Sequence, residues 1–384
     1  MKKQFLKILS YVLVAAAASA VSFGFCALGM VSPSDKLDQL SELIENRFIG
    51  EVDMDKMEDA AAAAMVDSLG DRWSFYLTAE EYQTHMERVN NAYVGIGITI
   101  TTAGDGSGVE VLKVEENSSA MDAGIQVGDV IVGVEGQDVA NMTTTELRNL
   151  VRGKEGTYVM LTINRGREVF DLSVERRTVK TAVATGVMLD GNVGLITISN
   201  FDSRCAKESI AALESLLEQG AQALIFDVRN NPGGYKDELV ELLDYLLPEG
   251  ALFRSEDYNG NVQVDESDAS CVEIPMAVLV NEDCYSAAEF FAAALAEYDW
   301  AVLVGTQTVG KGYFQVTYKL SDGSAVGLSI GKYTTPKGVS LQNVGLTPEI
   351  EVEVDDETYY KIYAGMLAPE EDPQIQAALA TLLP

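Results

Sequence analysis

The spacing of hydrophobic and polar positions changes several times along the chain, and each change predicts a different kind of structure. Residues 35–69 follow a helical spacing, and a further charged helix is predicted near 80–89. From Tyr93 to about residue 179 the pattern becomes short alternating strands with two short helices between them. Beyond residue 180, apolar strands alternate with helices, which predicts an α/β fold around a largely parallel sheet.

The predicted elements of this last region indicate where its chemistry should be sought. Strands, helices and one hairpin are expected, in chain order, at 193–198, 205–219, 221–228, 238–247, 276–280, 287–297, 301–304 and 313–330. Active sites in sheets of this kind lie at the carboxyl ends of the strands. The segments that directly follow the strands are therefore the candidates for function.

The N-terminus carries a targeting signal. Lysines at 2, 3 and 7 precede an uncharged stretch of 24 residues from Ile8 to Val31. A cleaved signal peptide has an apolar core of only about 7–15 residues, whereas a spanning helix needs about 20. We therefore expect residues 1–31 to be a single transmembrane anchor, with the rest of the chain on the extracytoplasmic side of the cell membrane. Ala-Ala-Ser-Ala at 17–20 leaves open a cleaved signal and a secreted protein.

The charge balance limits the classes of partner and cofactor. Lys and Arg together number 27 against 59 Asp and Glu, a formal net charge of −32. Such a surface repels phosphate backbones, so nucleic acid is not expected as a partner. The sequence has no calcium-loop motif and no Cys/His cluster, so neither a metal nor another cofactor is expected.

Cysteine and histidine usage narrows the chemistry further. The four cysteines are too few and too scattered for a disulfide framework, and Cys271 and Cys284 either pair or remain buried thiols. His85 is the only histidine and is expected on the solvated face of a charged helix. Mechanisms that need two histidines are therefore excluded.

Two glycine motifs mark the segment of short strands. Gly95-Ile96-Gly97-Ile98 opens its first strand, and Gly128-Asp129-Val130-Ile131 follows a short helix. Glycines allow backbone N–H groups to converge on a carboxylate, and the adjacent strand edge can pair with an extended peptide. The segment resembles a PDZ domain over residues 93–179. The resemblance implies that Gly95 to Ile98 bind the carboxylate of a free, apolar C-terminus.

Three post-strand segments carry candidate chemistry. The glycine pair Gly233-Gly234 exposes backbone N–H groups that suit a developing oxyanion, although a simple turn explains it equally well. Ser286 lies at the N-terminal end of a predicted helix, where it is either a helix cap or a nucleophile. Cys284 is a rival nucleophile, but no histidine is available to activate it.

The third segment contains Lys311 between two glycines at the start of an apolar strand. Such a lysine is poorly placed for full solvation, and desolvation lowers the pKa of an amine until it can accept a proton from serine. Gln315, four residues later, can accept a hydrogen bond from that amine.

These motifs resemble the C-terminal processing peptidases, also called tail-specific proteases, over residues 194–352. Upstream, Leu69-Gly70-Asp71-x-x-Ser74-x-Tyr76-Leu77 is similar to the helical N-terminal region of that family. The resemblance implies a ClpP/crotonase-like α/β core in which Ser286 is the nucleophile and Lys311 the general base. It further implies that Gln315 assists the lysine and that Gly233 and Ala287 form the oxyanion hole, although Gly233 is not separable from Gly234. Cys284-Tyr285 departs from the family motif, which has small residues there.

The predicted order is thus an anchor or signal at 1–31, helices at 32–92, a PDZ domain at 93–179 and a peptidase core at 180–384. The expected function is a serine endopeptidase that cleaves exported or membrane proteins near their C-termini, and a homo-oligomer is left open. One alternative is a non-catalytic, membrane-anchored PDZ scaffold with a degenerate peptidase fold. Another is a crotonase-type acyl-CoA enzyme, which an exported chain with a PDZ domain does not favour.

Overall fold

The computed structural model describes residues 34–383 except Glu116, and the chain divides into two compact units at Gly70. The first unit contains the helices α1 (Ser34–Arg47) and α2 (Met54–Asp67), as the pattern of residues 35–69 predicts. The predicted anchor at 1–31 lies outside the described residues. Among the helices that are described, none is both long and apolar enough to cross a bilayer.

The second unit begins with elements that lead into the predicted PDZ segment. These are β1 (Phe75–Leu77), α3 (Ala79–Val89) and β2 (Ala92–Gly95). Thr78 and Glu81 form a capping box that fixes the start of α3.

The segment of short strands forms its own sheet and core. Its elements are β3 (Ile98–Thr102), β4 (Val109–Val114), α4 (Ser119–Ala123), β5 (Val130–Val134), β6 (Gln137–Asp138), α5 (Thr144–Val151), β7 (Tyr158–Arg165) and β8 (Glu168–Glu175). The sheet order is β3-β4-β5-β7-β8, so β3 is an edge strand of this sheet within the described residues. The chain then returns through β9 (Arg177–Lys180), which pairs with β2 in antiparallel register.

The remaining chain builds a second, larger core. Its elements are β10 (Ala184–Leu189), β11 (Val193–Ile198), α6 (Cys205–Glu218), β12 (Ala223–Asp227), α7 (Lys236–Leu246), β13 (Gly250–Asp257), β14 (Val262–Ser267), β15 (Met276–Val280), α8 (Ala287–Glu297), β16 (Ala301–Gly305), β17 (Tyr313–Lys319), β18 (Ala325–Thr334), β19 (Ile350–Glu351), α9 (Asp356–Tyr363) and α10 (Pro373–Leu382).

Two sheets organise this core. The central one has the order β10-β11-β12-β15-β16-β19 and is parallel except for the β10–β11 pair. The second contains β1, β18, β13 and β14 in that order, with β17 also paired to β18. The architecture is therefore a mixed α/β fold, as predicted.

Helix α8 lies against the central sheet with its residues from Ala287 to Leu295 all buried. Its alanines allow close approach, and Phe291 packs edge-on against Phe226 of β12. This packing fixes the start of the helix, and with it the position of Ser286.

Candidate functional site

Three loops that follow neighbouring strands line one cavity of about 310 Å³. The loop after β12 supplies Gly233, the loop after β15 supplies Ser286, and the loop after β16 supplies Lys311. Strands β12, β15 and β16 are adjacent and parallel, so their carboxyl ends meet at one edge. The structure thus places all three predicted segments at a single site.

Ser286 is held in an unusual backbone conformation. It is 8% exposed, and its φ and ψ are 59° and −129°. A non-glycine residue in such a conformation costs about 1–3 kcal/mol and persists only where its surroundings enforce it. The backbone N–H of Glu289 donates to the carbonyl oxygen of Ser286 at 2.9 Å, the N–H of Ser286 donates to the Glu289 carboxylate, and no hydrogen bond of the serine hydroxyl is present among the described residues. The hydroxyl is therefore available to the cavity.

A buried carboxylate joins the loops of Ser286 and Lys311. Glu289 is fully buried and accepts hydrogen bonds from the backbone N–H groups of Ser286 at 3.0 Å, Gly310 at 2.8 Å and Lys311 at 2.8 Å. The hydroxyl of Thr308 donates to it as well. Charge-assisted bonds of this kind are stronger than neutral ones, so Glu289 sets the relative position of the two loops.

The amine of Lys311 lies against two aromatic rings that contact each other. Its Nζ atom is 4.7 Å from the centroid of the Trp73 ring and 5.6 Å from that of Tyr285. Burial lowers the pKa of Lys311 to about 8, while the nearby carboxylates of Asp71 and Glu289 act in the opposite direction. A substantial change of protonation therefore falls close to neutral pH.

Gln315 lines the same cavity. Its Nε2 donates to the Ser329 hydroxyl at 2.9 Å and to the backbone carbonyl of Tyr313 at 3.2 Å, so both amide protons are used and Oε1 remains an acceptor. The expected bond from Lys311 Nζ to this oxygen is not among the hydrogen bonds of the described residues.

The carboxylate of Asp71 lies near the lysine. Burial acts to raise the pKa of Asp71, but hydrogen bonds from Ser329 and Ser74 outweigh it and lower this pKa, so the carboxylate stays charged.

The loop that contains Gly233 packs directly against the loop that contains Ser286. Gly233 has a φ of +82°, and a Cβ there would lie 2.7 Å from the backbone nitrogen of Ala287 and 2.8 Å from the Cβ of Ser286. Only glycine fits this approach. The N–H of Gly233 donates to Asn231 Oδ1 at 2.8 Å, whereas the backbone hydrogen bonds of the described chain do not use the N–H of Gly234.

The cysteine and histidine expectations have different outcomes. Cys205, Cys271 and Cys284 are free thiols. Burial, with Glu289 nearby, holds the pKa of Cys284 well above its ordinary value, so this thiol does not rival the serine. His85 lies on helix α3, as predicted, but it is half-buried rather than fully solvated, because its ring lies 5.6 Å from that of Phe75 and lines the cavity. Burial, together with Arg88 and Lys311, lowers the pKa of His85, which keeps it neutral at neutral pH.

Comparisons with known proteins agree with this arrangement. Residues 192–352 match peptidase family S41, and residues 110–165 match the PDZ domain. The carboxy-terminal processing protease CtpA of Bacillus subtilis is 33% identical over 369 residues, which cover 93% of this chain and 79% of the relative. The chain belongs to the C-terminal processing peptidases of family S41. It is a serine-type peptidase that acts on peptide or protein substrates.

Two further similarities extend the comparison. A CtpA-like serine protease of Staphylococcus epidermidis is 30% identical over 340 residues, or 85% of this peptidase and 69% of the relative. A crystal structure of an S41 protease from Bacteroides fragilis matches with a TM-score of 0.54 and 17% identity, covering 89% of this chain and 96% of the other. This second match shows a shared fold.

The S41 peptidase carries a second cavity, in its PDZ domain. It measures about 340 Å³ and lies between edge strand β3 and helix α5. All four predicted loop residues, Gly95 to Ile98, line it, together with Arg148 and Arg152 of the opposite wall. The cleft thus combines an unpaired strand edge, a glycine loop and positive charge.

Sequence reasoning gave no role to Glu289, although a signal was present. An acidic residue within an otherwise apolar helix segment predicts a buried, paired carboxylate. Trp73 was likewise missed, because its contact with Lys311 spans more than 230 positions and depends on β1 pairing with β18.

Proposed function

We propose that this S41 peptidase is a Ser/Lys endopeptidase in which Ser286 is the nucleophile and Lys311 the general base. One observation carries the proposal: both residues line one cavity, where burial lowers the pKa of Lys311 to about 8. A lysine with this pKa is neutral in roughly a tenth of the molecules at pH 7. A neutral amine has the lone pair that a general base requires.

Acylation then proceeds in two steps. The Lys311 amine accepts the hydroxyl proton of Ser286 as Oγ attacks the scissile carbonyl carbon. The tetrahedral oxyanion collapses, the C–N bond breaks, and the Lys311 ammonium donates its proton to the leaving amine. The product amine departs, and an ester joins the remaining peptide to Ser286.

Deacylation repeats the proton transfers with water. Lys311 accepts a proton from the water molecule that attacks the ester, and the second tetrahedral intermediate expels Ser286 Oγ. The ammonium returns its proton to this oxygen, and the new C-terminal carboxylic acid leaves and releases its proton to water. The free Oε1 of Gln315 supports the assignment of this residue as the acceptor that orients the amine between steps.

Backbone donors at the glycine loop complete the proposed machinery. The N–H groups of Ala287 and Gly233, or of its neighbour Gly234, stabilise the oxyanion. The close approach of Gly233 to Ala287 supports a shared donor site. Use of Gly233 requires its N–H to exchange the oxygen of Asn231 for the oxyanion.

The PDZ cleft is proposed to select substrates by their tails. An extended C-terminus would pair with β3, place its carboxylate at Gly95 to Ile98 and bury an apolar last side chain. The uncharged stretch after the N-terminal lysines supports an anchor that holds the enzyme at the outer face of the cell membrane, among exported and membrane proteins.

Cleavage of a denatured protein with an apolar tail tests the function. Full-length wild type, Ser286→Ala and Lys311→Ala are compared by mass spectrometry of the fragments, with Lys332→Ala as control. Lys332 is an exposed lysine of β18 that pairs with Glu256. Wild type and Lys332→Ala should cut near the tail, and both site variants should not.

The opposite results are equally informative. Cleavage that survives in Ser286→Ala would exclude this nucleophile. Tail binding without cleavage by wild type would favour the non-catalytic PDZ scaffold.

A further inference from the structure

The amine of Lys311 sits against two aromatic side chains that come from distant parts of the chain. Its Nζ lies 4.7 Å from the Trp73 centroid and 5.6 Å from the Tyr285 centroid, both within the roughly 6 Å range of cation–π contact. The rings also contact each other, with centroids 5.7 Å apart and planes inclined by 31°. Two adjacent aromatic rings therefore cover one side of the amine.

We propose that Trp73 and Tyr285 form an aromatic clamp that positions the Lys311 amine for proton transfer with Ser286. Both are positioning residues, since they act through the lysine. The inference rests on the proposed function, because it assigns the clamp to the general base of that mechanism.

The geometry of Lys311 explains why a clamp is needed. Glu289 fixes the backbone of Lys311 through a hydrogen bond of 2.8 Å, but a flexible four-carbon stem separates this anchor from the amine. No hydrogen bond from Nζ is present among the described residues, so the amine needs another restraint until the free Oε1 of Gln315 accepts a bond from it. The ring faces supply the restraint instead.

Aromatic faces suit a general base better than a carboxylate in direct contact. An ion pair would hold the ammonium form and keep its lone pair protonated. A ring face attracts the ammonium more weakly, excludes water and leaves the lone pair unused. Since burial is the main cause of the lowered pKa of Lys311, walls that exclude water support the basic form.

Within the described part of the chain, no side-chain hydrogen bond holds the indole of Trp73, although the backbone N–H of this residue donates to the Asp71 carboxylate at 3.3 Å. Its Nε1 is buried and makes no hydrogen bond with any described residue, which is unfavourable for an indole. The guanidinium of Arg72 lies 4.3 Å from the ring, so the indole contacts the side-chain cations of Arg72 and Lys311. These contacts, with the ring of Tyr285, fix the indole beside Lys311.

Tyr285 is the departure from the family motif, which has a small residue at this position. Its backbone N–H donates to the carbonyl of Asn231 at 3.1 Å, which sets the direction of the side chain. A small residue would leave the amine open on this side. In this chain the tyrosine closes the clamp.

A direct titration of Lys311 tests the clamp without any need for peptidase activity. Full-length Ser286→Ala protein is labelled with acetic anhydride across a pH series, and acetylation of Lys311 is read by mass spectrometry. The midpoint should lie near 8. Adding Tyr285→Ala or Trp73→Leu should raise it by about one pH unit, toward the ordinary lysine value.

Two companion variants make the result specific. Tyr285→Phe retains the ring and should restore the midpoint, and Tyr318→Ala removes an exposed tyrosine of β17 and should not move it. In the active enzyme, Tyr285→Ala should lower kcat about tenfold with little change in KM. Melting curves identify any variant that fails to fold. If one of Tyr285→Ala and Trp73→Leu fails, the midpoint of the other variant tests the clamp.

An unmoved midpoint in both Tyr285→Ala and Trp73→Leu would overturn the clamp. A change in the KM of Tyr285→Ala without a change in kcat would also overturn it, because Tyr285 would then shape only the substrate pocket. These outcomes differ from failure of the proposed function. If Lys311→Ala still cleaves substrate, the lysine is not the base, whatever its titration shows.

Discussion

The carboxylate of Glu289 accepts a hydrogen bond from the backbone N–H of Lys311, 22 positions later in the chain, at 2.8 Å. The same oxygen, Oε2, accepts the N–H of Ser286 at 3.0 Å. A single buried group therefore ties the loop of the proposed base to the loop of the proposed nucleophile. It also explains how Ser286 keeps its positive φ.

Replacing this carboxylate by an amide should damage both stability and activity. Glu289→Gln keeps the size but turns an NH₂ group toward donors that already need an acceptor, at a cost of about 2–3 kcal/mol in the free energy of unfolding. Chemical denaturation and kcat measure the two effects. Glu282→Gln is the control in the same region, because Glu282 is exposed and accepts a bond from Thr306. Equal behaviour of the two variants would contradict the role given to Glu289.

The peptidase reaction should be governed by deprotonation of Lys311. Because the neutral amine is the proposed base and its pKa is about 8, kcat/KM should rise about tenfold per pH unit below 8 and level off above it. Asp71 raises the pKa of Lys311, so Asp71→Asn should shift this midpoint to lower pH. A pH series on both forms measures the shift, and movement to higher pH would exclude the assignment.

The contact between Gly233 and the serine loop predicts a sharp steric effect. In Gly233→Ala the new methyl group would meet the Ala287 nitrogen at 2.7 Å, and activity should fall at least about a hundredfold through displacement of the proposed oxyanion donors. Gly338→Ala is a matched control, since Gly338 has the same φ of +82° but open space around it. Its backbone strain should cost about 1 kcal/mol and leave kcat unchanged.

Much of the architecture was predictable because it is encoded locally. The buried strands β12, β15 and β16 are short apolar runs, and a parallel sheet brings the segments after them to one edge. The order of the elements therefore indicated that the segments containing Gly233, Ser286 and Lys311 follow strands, whereas the choice of these residues rested on the resemblance to the peptidase family.

The hairpin of β13 and β14 was missed despite a usable signal. Asn259-Gly260 separates the two strands, and such a pair is a strong marker of a tight turn. The strands carry a weak alternating pattern because the burial of β14 is mixed. The polar residues of these strands hide the alternation of apolar and polar positions, so the Asn-Gly turn is the clearer signal of the hairpin.

Contacts over long sequence separations set the details of the site, which sequence patterns do not encode. Phe75 pairs with Gly327, and this strand pairing brings the neighbouring Trp73 to Lys311. The position of His85 was hidden for the same reason, because the charged sequence of α3 did not indicate that one face of this helix lines the cavity. Local propensity predicted the elements, and tertiary pairing determined their environment.

Tail binding in the PDZ cleft should depend on a free carboxylate. The glycine loop offers backbone N–H groups, and Arg148 and Arg152 place positive charge on the opposite wall. Full-length Ser286→Ala, which lacks the proposed nucleophile and so should not consume the peptide, should bind an apolar-tailed peptide at least tenfold more tightly than its C-terminal amide. Calorimetry measures both affinities, and added salt should weaken only the carboxylate form, because screening acts on charge. Equal binding of acid and amide would place recognition in the apolar side chain rather than in the carboxylate loop.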